Sequence, residues 1–276
     1  MSVKQYFNSK LKVKLAVLLP VYNSELFIEK CINSILSQTY KYFHLHVFDD
    51  GSYDNSADLI HKICDERLFY HKSDQNLGLS TTLNWGLKIL NENYDFIARM
   101  DADDVCFPKR LELQLKHMLR NPEISLCGTQ GYWSNNIDGE NWSNWTYPIS
   151  HDEIKIGLLF SACFGHSSVM FRTSFLREFQ LKYNPRFQVT EDWELWARAI
   201  NLGKFENMPD FLMKYRIHSK SNHRALENLY KHRDEKSYIL SKYWQNFGIS
   251  FPESLVKKFY FEKKVNTSEF RQVICI

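Results

Sequence analysis

Short apolar runs alternate with amphipathic stretches through the first 128 residues of the chain. The mainly apolar run Val13–Leu19 is typical of a buried strand, and apolar residues recur at helical spacing from about Ser24. The same alternation predicts further strands at 44–48, 67–71, 96–100 and 124–127. It predicts further helices from Asp54 or Ser56, from Ser80 and from Pro108. Strands that alternate with helices in this way indicate right-handed βαβ units and a mainly parallel sheet.

The pattern changes after Gly128. Residues 129–150 are rich in Asn, Trp, Ser and Gly, and Asp138-Gly139 is typical of a hairpin turn. Beyond them, the pattern predicts strands at 168–171 and 211–217, a helix near 193–201, and helical structure from Asn222 onward. We therefore divide the chain into an α/β half (1–128), a mixed half of the same domain (129–221) and a helical C-terminal extension (222–276).

Composition narrows the class of protein. Hydrophobic residues make up 44% and charged residues 24% of the 276 positions, which is ordinary for a globular chain of one or two domains and excludes a disordered one. The apolar run Leu15–Tyr22 is far shorter than the roughly 20 residues of a membrane span, and the N-terminus lacks the apolar segment of a signal peptide. The six cysteines form no C-x-x-C pair, which favours buried thiols in a reducing compartment. We expect a cytoplasmic protein.

The net charge of +3 is unevenly distributed. From Lys214 to Ile276 there are 13 Lys and Arg residues against 6 Asp and Glu, whereas acidic residues outnumber basic ones in the rest of the chain. In this basic tail, Lys257, Lys258, Lys263 and Lys264 surround aromatic residues, which suggests peripheral contact with the anionic inner face of the cytoplasmic membrane. A solvated helical face explains the same charge equally well. We expect no nucleic-acid partner, because no recognition motif accompanies the charge.

Polar side chains follow four successive predicted strands, at the edge of a parallel sheet where ligands bind. The four segments are 20–24 (Pro-Val-Tyr-Asn-Ser), 49–52 (Asp-Asp-Gly-Ser), 74–78 (Asp-Gln-Asn-Leu-Gly) and 101–104 (Asp-Ala-Asp-Asp). Neither G-x-G-x-x-G nor G-x-x-x-x-G-K-[ST] occurs in the chain, so the sequence does not support a dinucleotide or P-loop site.

The fourth segment indicates a divalent metal. Carboxylates crowded as at Asp101, Asp103 and Asp104 repel one another unless a cation neutralises them, and their oxygens suit Mg²⁺ or Mn²⁺. Such an ion would bridge the oxygens of a diphosphate. An isolated Asp-x-Asp is common in surface turns, but here it lies between an apolar strand and a helix that starts at Pro108.

Two further strand-end positions suggest nucleotide binding. The carboxylate of Asp50 is able to accept a hydrogen bond from the imide N–H of uracil, and Tyr22 is able to stack on that ring. The alternative is that Asp49 or Asp50 forms an Asx-turn with Gly51 and Ser52. Arg99 would contact a phosphate or pair with an aspartate.

The second half of the chain offers a candidate general base. Glu191 and Asp192 open a predicted helix, where they would either stabilise the helix dipole or take a proton from an attacking hydroxyl. His218 lies beside a strand end and would be a third protein ligand to the metal. His166 and His223 are interpreted as structural or acceptor-side residues.

Together, these segments resemble glycosyltransferase family 2. The resemblance rests on six motifs in the same order, from Val13 to about His223: Pro-Val-Tyr-Asn, Asp-Asp-Gly-Ser-x-Asp, Asn-x-Gly, Asp-Ala-Asp-Asp, Glu-Asp-Trp-x-Leu-Trp and Tyr-Arg-x-His. The resemblance implies a GT-A fold, an α/β architecture with a Rossmann-like, mainly parallel sheet flanked by helices, a mixed acceptor-side subdomain and a C-terminal helical tail. Bacterial members that elongate lipopolysaccharide or capsule glycans are the most similar.

The resemblance implies inverting transfer of a hexose or N-acetylhexosamine from a UDP-sugar to a hydroxyl of a glycan or lipid-linked glycan, with Mn²⁺ or Mg²⁺ as cofactor. By motif, the donor would be bound by Pro20, Tyr22, Asp50, Asn76, Gly78, Arg99, Asp101 and Ala102. The metal would be held by Asp103, Asp101 and His218. Asp192 would be the catalytic base, with Glu191 beside it.

Two other functions remain open at this stage. A sugar-phosphate nucleotidyltransferase also combines an α/β nucleotide domain with acidic metal ligands, but its Gly-rich phosphate loop is missing after the first strand. A catalytically dead nucleotide- or glycan-binding module is the other, although such a module has no reason to retain both the acidic cluster and Glu191-Asp192. The tryptophans Trp133, Trp142 and Trp145 would stack on acceptor sugars or pack within their own subdomain.

Overall fold

The computed structural model describes residues 13–134, 142–217 and 226–258. The strands are β1 (Leu15–Val21), β2 (Phe43–Asp49), β3 (Leu68–Lys72), β4 (Phe96–Arg99), β5 (Val105–Cys106), β6 (Ile124–Ser134), β7 (Ser143–Trp145), β8 (Met170–Arg172) and β9 (Lys204–Arg216). The helices are α1 (Ile28–Leu36), α2 (Ser56–His61), α3 (Leu79–Leu90), α4 (Arg110–Arg120), α5 (His151–Gly157), α6 (Thr173–Glu178), α7 (Glu191–Ala199), α8 (Leu226–Tyr243) and α9 (Glu253–Lys257).

These strands form one sheet in the order β3-β2-β1-β4-β8-β6-β9-β5, with β7 beside β6. The first four strands are parallel neighbours, with Leu19 opposite Val47 and Leu15 opposite Phe96. Strand β8 runs antiparallel to both β4 and β6, so β6 and its parallel neighbour β9 point the same way as β1–β4. The predicted α/β fold with a mainly parallel sheet is confirmed, and β8 is an antiparallel insertion within it.

Strand β1 lies at the centre of the α/β half, and all seven of its residues are buried. Its penultimate residue is Pro20, which has no N–H to give to a neighbouring strand. The carbonyl of Leu18 accepts a hydrogen bond from the Met100 N–H, so Leu18 and, two residues later, Pro20 face the β4 side. Strand β4 itself ends at Arg99. A proline is tolerated at position 20 because its nitrogen faces the side where the neighbouring strand has already ended.

The two faces of the sheet carry separate apolar cores. Leu15, Val17 and Leu19 of β1 pack on the face covered by α1 and α4, whereas Ala16 and Leu18 belong to the core that contains residues of α3, α7 and α8. This division follows from the two-residue alternation of side chains along a strand. The C-terminal helix α8 is therefore part of the domain core.

Several element boundaries differ from the sequence-based prediction. Helix α1 begins at Ile28, because the N–H groups of Phe27 and Ile28 both donate to the Ser24 carbonyl in a preceding turn. Pro108 is not the first helical residue: a short strand, β5, and a turn precede α4. Strand β6 runs through the boundary placed after Gly128, and the three-part division of the chain stays a prediction. The Asp138-Gly139 turn and the start of the extension at residue 222 lie outside the described residues.

Histidines on β2 and β3 predict that the fold loses stability in acid. His46 is buried, with its Nδ1 3.0 Å from His71 Nε2 and its Nε2 2.8 Å from the Tyr94 hydroxyl. Burial, together with the neighbouring His71, lowers the pKa of His46 from 6.5 to about 4. The unfolded chain therefore binds a proton that the folded chain excludes. The contribution of His46 to stability is therefore complete above about pH 6.5 and is lost as the pH falls, by about 2 kcal/mol at pH 5.

Urea unfolding at pH 7.5, 6 and 5 measures this loss. In His46→Phe, a phenyl ring replaces the imidazole that stacks on Phe69 at 4.8 Å, and the titrating group is removed. We expect the free energy of unfolding of this variant to depend less on pH than that of the wild type. Equal pH dependence in the two proteins would contradict the assignment to His46.

Candidate active site

A cleft of about 1150 Å³ opens at the carboxyl ends of the parallel strands. It collects every predicted site residue within the described ranges. These are Pro20, Tyr22, Asp50, Asn76, Gly78, Arg99, Asp101, Ala102, Asp103, Glu191 and Asp192. The remaining predicted residue, His218, lies outside the described residues.

The two aspartates at the end of β2 have different contacts. Asp49 is fully buried, and its Oδ1 accepts a hydrogen bond from the Ser52 N–H at 2.8 Å while its Oδ2 accepts one from the Tyr70 hydroxyl. Asp49 is therefore the aspartate that holds the Gly51-Ser52 turn, through the N–H three residues on and not two residues on as in an Asx-turn.

Asp50 fixes the loop that follows β3. Its Oδ1 accepts from the Leu77 N–H at 2.8 Å and its Oδ2 from the Gly78 N–H at 2.9 Å. Gly51 has φ +73°, and a Cβ there would lie 2.6 Å from the Gln75 carbonyl carbon, so the two loops approach closely where only glycine fits. Each carboxylate oxygen keeps a second lone pair, so Asp50 is still able to accept a hydrogen bond from a ligand.

Tyr22 lies at the open side of the cleft, with 43% of its surface exposed. Its ring meets the ring of Tyr53 edge-on, with centroids 6.1 Å apart. The neighbouring Asn23 adopts φ +47° and accepts a hydrogen bond from the Tyr53 N–H, which ties the ends of β1 and β2 together. A partly exposed aromatic ring on a fixed loop is suited to stacking against a planar ligand.

The carboxylates of Asp101, Asp103 and Asp104 converge, with one oxygen from each lying within 4.8 Å of the others. Asp104 is fully buried, and its Oδ1 accepts from the Arg216 N–H at 3.1 Å. Its Oδ2 is buried without a hydrogen-bond partner in the described parts of the chain. Burial, Asp103 and Asp101 all raise the pKa of Asp104. Three hard oxygen donors and an unsatisfied buried oxygen fit a divalent cation such as Mn²⁺ or Mg²⁺.

Arg99 pairs with the acidic cluster. Its guanidinium Nη1 donates to Asp101 Oδ2, and only 1% of its side chain is exposed. Its Nε has no hydrogen-bond partner among the residues that the structure describes. Of the two roles left open by the sequence, the structure shows the pairing with an aspartate. The pair also fixes the orientation of the Asp101 carboxylate at the cleft.

Glu191 and Asp192, which begin α7, line the same cleft. Glu191 is buried, and its Oε1 lies 3.4 Å from His166 Nδ1, while His166 Nε2 lies 2.9 Å from the Tyr183 hydroxyl. Burial raises the pKa of Glu191 to about 7 and lowers that of His166 to about 4, so both groups favour their neutral forms. Asp192 is half-buried, and its Oδ1 accepts from the Trp193 N–H at 2.6 Å.

Sequence reasoning missed part of this wall. The interpretation of His166 as structural or acceptor-side stays a prediction, but the sequence does not indicate that this residue lines the cleft and contacts Glu191, 25 positions away. The extension also contributes, because His232 and Lys236 of α8 line the cleft. The Lys236 Nζ lies 5.0 Å from the centre of the Trp193 ring, and burial lowers its pKa. The sequence indicated basic charge in this region but not which residues face the cleft.

Two of the three tryptophans considered for stacking on acceptor sugars line the cleft, and one of these two also packs against neighbouring aromatic rings. Trp145 packs against Tyr147 and Tyr215 at 5.8 and 5.6 Å between ring centres. A Cβ at Gly131 would lie 2.8 Å from its indole, so this glycine makes room for the ring. Trp133 and Trp145 both line the cleft, whereas the ring of Trp142 faces the Lys214 Nζ at 5.1 Å.

Within the described ranges, none of the helices has the length and apolar character that a bilayer span requires. Of the four lysines proposed to contact the membrane, Lys257 and Lys258 are described, and Lys257 pairs with Asp234. Lys263, Lys264 and the aromatic residues before them lie outside the described residues. Membrane contact through this tail stays a prediction.

Comparison with solved structures confirms the predicted GT-A-like architecture. The chain superimposes on S. aureus TarS in complex with UDP with a TM-score of 0.65 at 18% identity, covering 94% of this chain and 78% of that one. It superimposes on PcManGT of Pyrobaculum calidifontis, a mannosyltransferase in complex with GDP-Man and Mn²⁺, with a TM-score of 0.59 at 12% identity, covering 98% and 88% of the two chains. At these identities the likeness establishes the fold.

The sequence comparisons identify the family. The chain is 33% identical over 217 residues to the O-antigen biosynthesis glycosyltransferase WbnJ of Escherichia coli, which covers 76% of this chain and 82% of that protein. A profile described as "Glycosyl transferase family 2" matches residues 16–179, which include the strand ends that build the acidic side of the cleft. The predicted resemblance is confirmed: this chain belongs to glycosyltransferase family 2.

Proposed function

We propose that this glycosyltransferase transfers a hexose or N-acetylhexosamine, with inversion, from a UDP-sugar to a hydroxyl of a glycan or lipid-linked glycan acceptor. The proposed setting is the synthesis of lipopolysaccharide, capsule or another surface polysaccharide. One observation carries the proposal: Asp101 and Asp103, whose carboxylates converge with that of the buried Asp104, line the same cleft as the candidate base Asp192. The name of the relative WbnJ, which assigns it to O-antigen biosynthesis, supports the choice of acceptor class.

The nucleotide would bind at the ends of β1 and β2. Tyr22 would stack on the uracil, Pro20 would line its pocket, and Asp50 would accept a hydrogen bond from the imide N–H through a lone pair that the loop amides leave over. Asn76 and Gly78 would lie near the nucleotide and sugar, on the loop that Asp50 holds in place. UDP in the TarS complex supports the choice of uridine.

The diphosphate would lie over the acidic cluster. Asp103 and Asp101, together with His218, would hold the Mn²⁺ or Mg²⁺, and Ala102 would line the ribose and diphosphate. When bound there, the cation supplies charge neutralisation on the departing diphosphate. Arg99, which is paired with Asp101, adds a fixed positive charge on the same side.

Asp192 would act as the general base. Its carboxylate accepts the proton of the acceptor hydroxyl while the hydroxyl oxygen forms a bond to the anomeric carbon. The bond from that carbon to the diphosphate oxygen breaks on the opposite face, its electron pair leaves with UDP, and the configuration inverts. Glu191, with a pKa of about 7, carries a proton for much of the time at neutral pH. It therefore adds less negative charge beside Asp192 than an ionised carboxylate would.

Calorimetric titration with UDP, with and without Mn²⁺, tests the proposed donor site. We expect UDP to bind in the presence of Mn²⁺ and to be preferred over GDP. Without Mn²⁺ it should bind at least about tenfold more weakly, since the attraction between the cation and the diphosphate exceeds the roughly 1.4 kcal/mol that corresponds to tenfold in affinity. A preference for GDP would contradict the role given to Asp50. If neither nucleotide binds with Mn²⁺ present, the donor-site assignment is wrong. Incubation with a UDP-sugar and a glycan acceptor releases UDP if the sugar is transferred. A nucleotidyltransferase would leave these substrates unchanged and would instead release pyrophosphate from UTP and a sugar phosphate.

A further inference from the structure

One carboxylate of helix α8 holds the loop immediately before α7. Glu235 Oε1 accepts a hydrogen bond from the Gln188 N–H at 2.9 Å. Its Oε2 accepts from the Val189 N–H at 3.2 Å, from the Thr190 N–H at 3.1 Å and from the Thr190 hydroxyl at 2.8 Å. Three consecutive backbone donors and a hydroxyl are thus satisfied by one side chain 45 or more positions away in the sequence.

This arrangement determines how α7 begins. Thr190 occupies the N-cap position of α7, but its side chain makes no capping hydrogen bond to the first turn and donates to Glu235 instead. The start of the helix is therefore fixed from outside, by a charged acceptor, and hydrogen bonds to an ionised acceptor are about twice as strong as neutral ones. Glu191 and Asp192 are the next two residues of the chain.

The second observation is the position of the loop. Val189, Thr190 and Asp192 all line the cleft, so a shift of the loop moves the wall that carries the base. Two neighbours of Glu235 on α8 line the same cleft: His232, three residues before it, and Lys236, the next residue. Helix α8 packs into the core with Ile239 and Leu240, which gives Glu235 a rigid support.

We propose that Glu235 is a positioning residue, whose carboxylate holds loop 188–190 so that Asp192 is presented to the acceptor hydroxyl. This inference rests on the transfer function proposed above. Glu235 acts through Asp192 and makes no contact with substrate. Because a misplacement of about 1 Å near reacting groups costs up to about 100-fold in rate, loss of this anchor should affect catalysis more than donor binding.

The variant Glu235→Gln tests the proposal, since its amide group presents an N–H where the loop needs an acceptor. We expect kcat for sugar transfer to fall about 10- to 100-fold, with the donor KM and the UDP affinity within about twofold of the wild type. Amide hydrogen exchange should become faster at residues 188–192 and stay unchanged in β1 and β4. Thr190→Val, which removes one of the four hydrogen bonds, should show a smaller effect in the same direction. The two changes should not be additive.

Asp234→Asn is the matched control. Asp234 is the preceding residue on α8, is exposed and pairs with Lys257, so its replacement removes the same charge without touching the loop. We expect this variant to have the kcat of the wild type and the same amide hydrogen exchange at residues 188–192. Wild-type kcat in Glu235→Gln, or an equal loss of UDP affinity and kcat, would overturn the positioning role alone. A wild-type chain that transfers no sugar would overturn the proposed function, and the role of Glu235 with it.

Discussion

Asp192→Asn is expected to lower kcat for sugar transfer by about 10²- to 10⁴-fold, the range found when a general base is removed. The amide has the shape of the carboxylate but does not take up the proton of the acceptor hydroxyl. UDP affinity in the presence of Mn²⁺ should stay within about twofold of the wild type, because the residues proposed to bind the donor lie on other loops of the cleft. Initial rates at saturating UDP-sugar, together with calorimetry of UDP, measure the two quantities separately.

Asp152→Asn provides the control for this variant. Asp152 is the second residue of α5, as Asp192 is of α7, so both changes remove a negative charge from the first turn of a helix. Asp152 is exposed and does not line the cleft. We expect wild-type kcat from it. If Asp192→Asn retains the kcat of the wild type, Asp192 is not the base. The same conclusion follows if kcat falls equally in Asp152→Asn and Asp192→Asn.

The side of the cleft that is formed by the ends of β1–β4 could be predicted because its residues are determined locally. Each segment follows an apolar strand directly, and parallel strands place their carboxyl ends along one edge of the sheet. The sequence therefore brings Tyr22, Asp50 and Asp103 together without any knowledge of long-range contacts. The same reasoning left Asp49 and Asp50 ambiguous, because two adjacent aspartates have equal access to the turn. The hydroxyl of Tyr70 and the N–H groups of the loop after β3 distinguish them.

The direction of β8 and the contacts of Asp104 and Glu235 depend on parts of the chain that are distant in the sequence, and no local pattern encodes such contacts. Strand β8 has only three residues and enters the sheet between β4 and β6 with reversed direction. The Arg216 N–H reaches Asp104 across 112 positions, and Glu235 reaches Thr190 across 45. In the sequence of a basic amphipathic helix, a glutamate that binds a loop cannot be distinguished from one that faces solvent. Its role becomes visible only once α8 is packed against the loop before α7.

Asp103→Ala is expected to abolish the gain in UDP affinity that Mn²⁺ provides. Asp103 contributes one of three converging carboxylates, and without it the remaining pair offers too few hard oxygen ligands to hold a divalent ion beside a diphosphate. With saturating Mn²⁺, the variant should bind UDP no more tightly than the wild type does without metal, a loss of at least about tenfold. Binding in the absence of metal should change much less, because Tyr22 and Asp50 are unaffected.

Asp74→Ala separates metal ligation from the general effect of removing a negative charge near a bound diphosphate. Asp74 follows β3 at the same edge of the sheet, but it is exposed and does not line the cleft. Its loss should leave the Mn²⁺ dependence of UDP binding intact. Unchanged UDP affinity of Asp103→Ala in the presence of Mn²⁺ would exclude Asp103 as a ligand. Equal losses of UDP affinity in both variants would mean that long-range charge controls UDP binding at this edge and that metal ligation by Asp103 does not. Such a charge effect would weaken as salt is added.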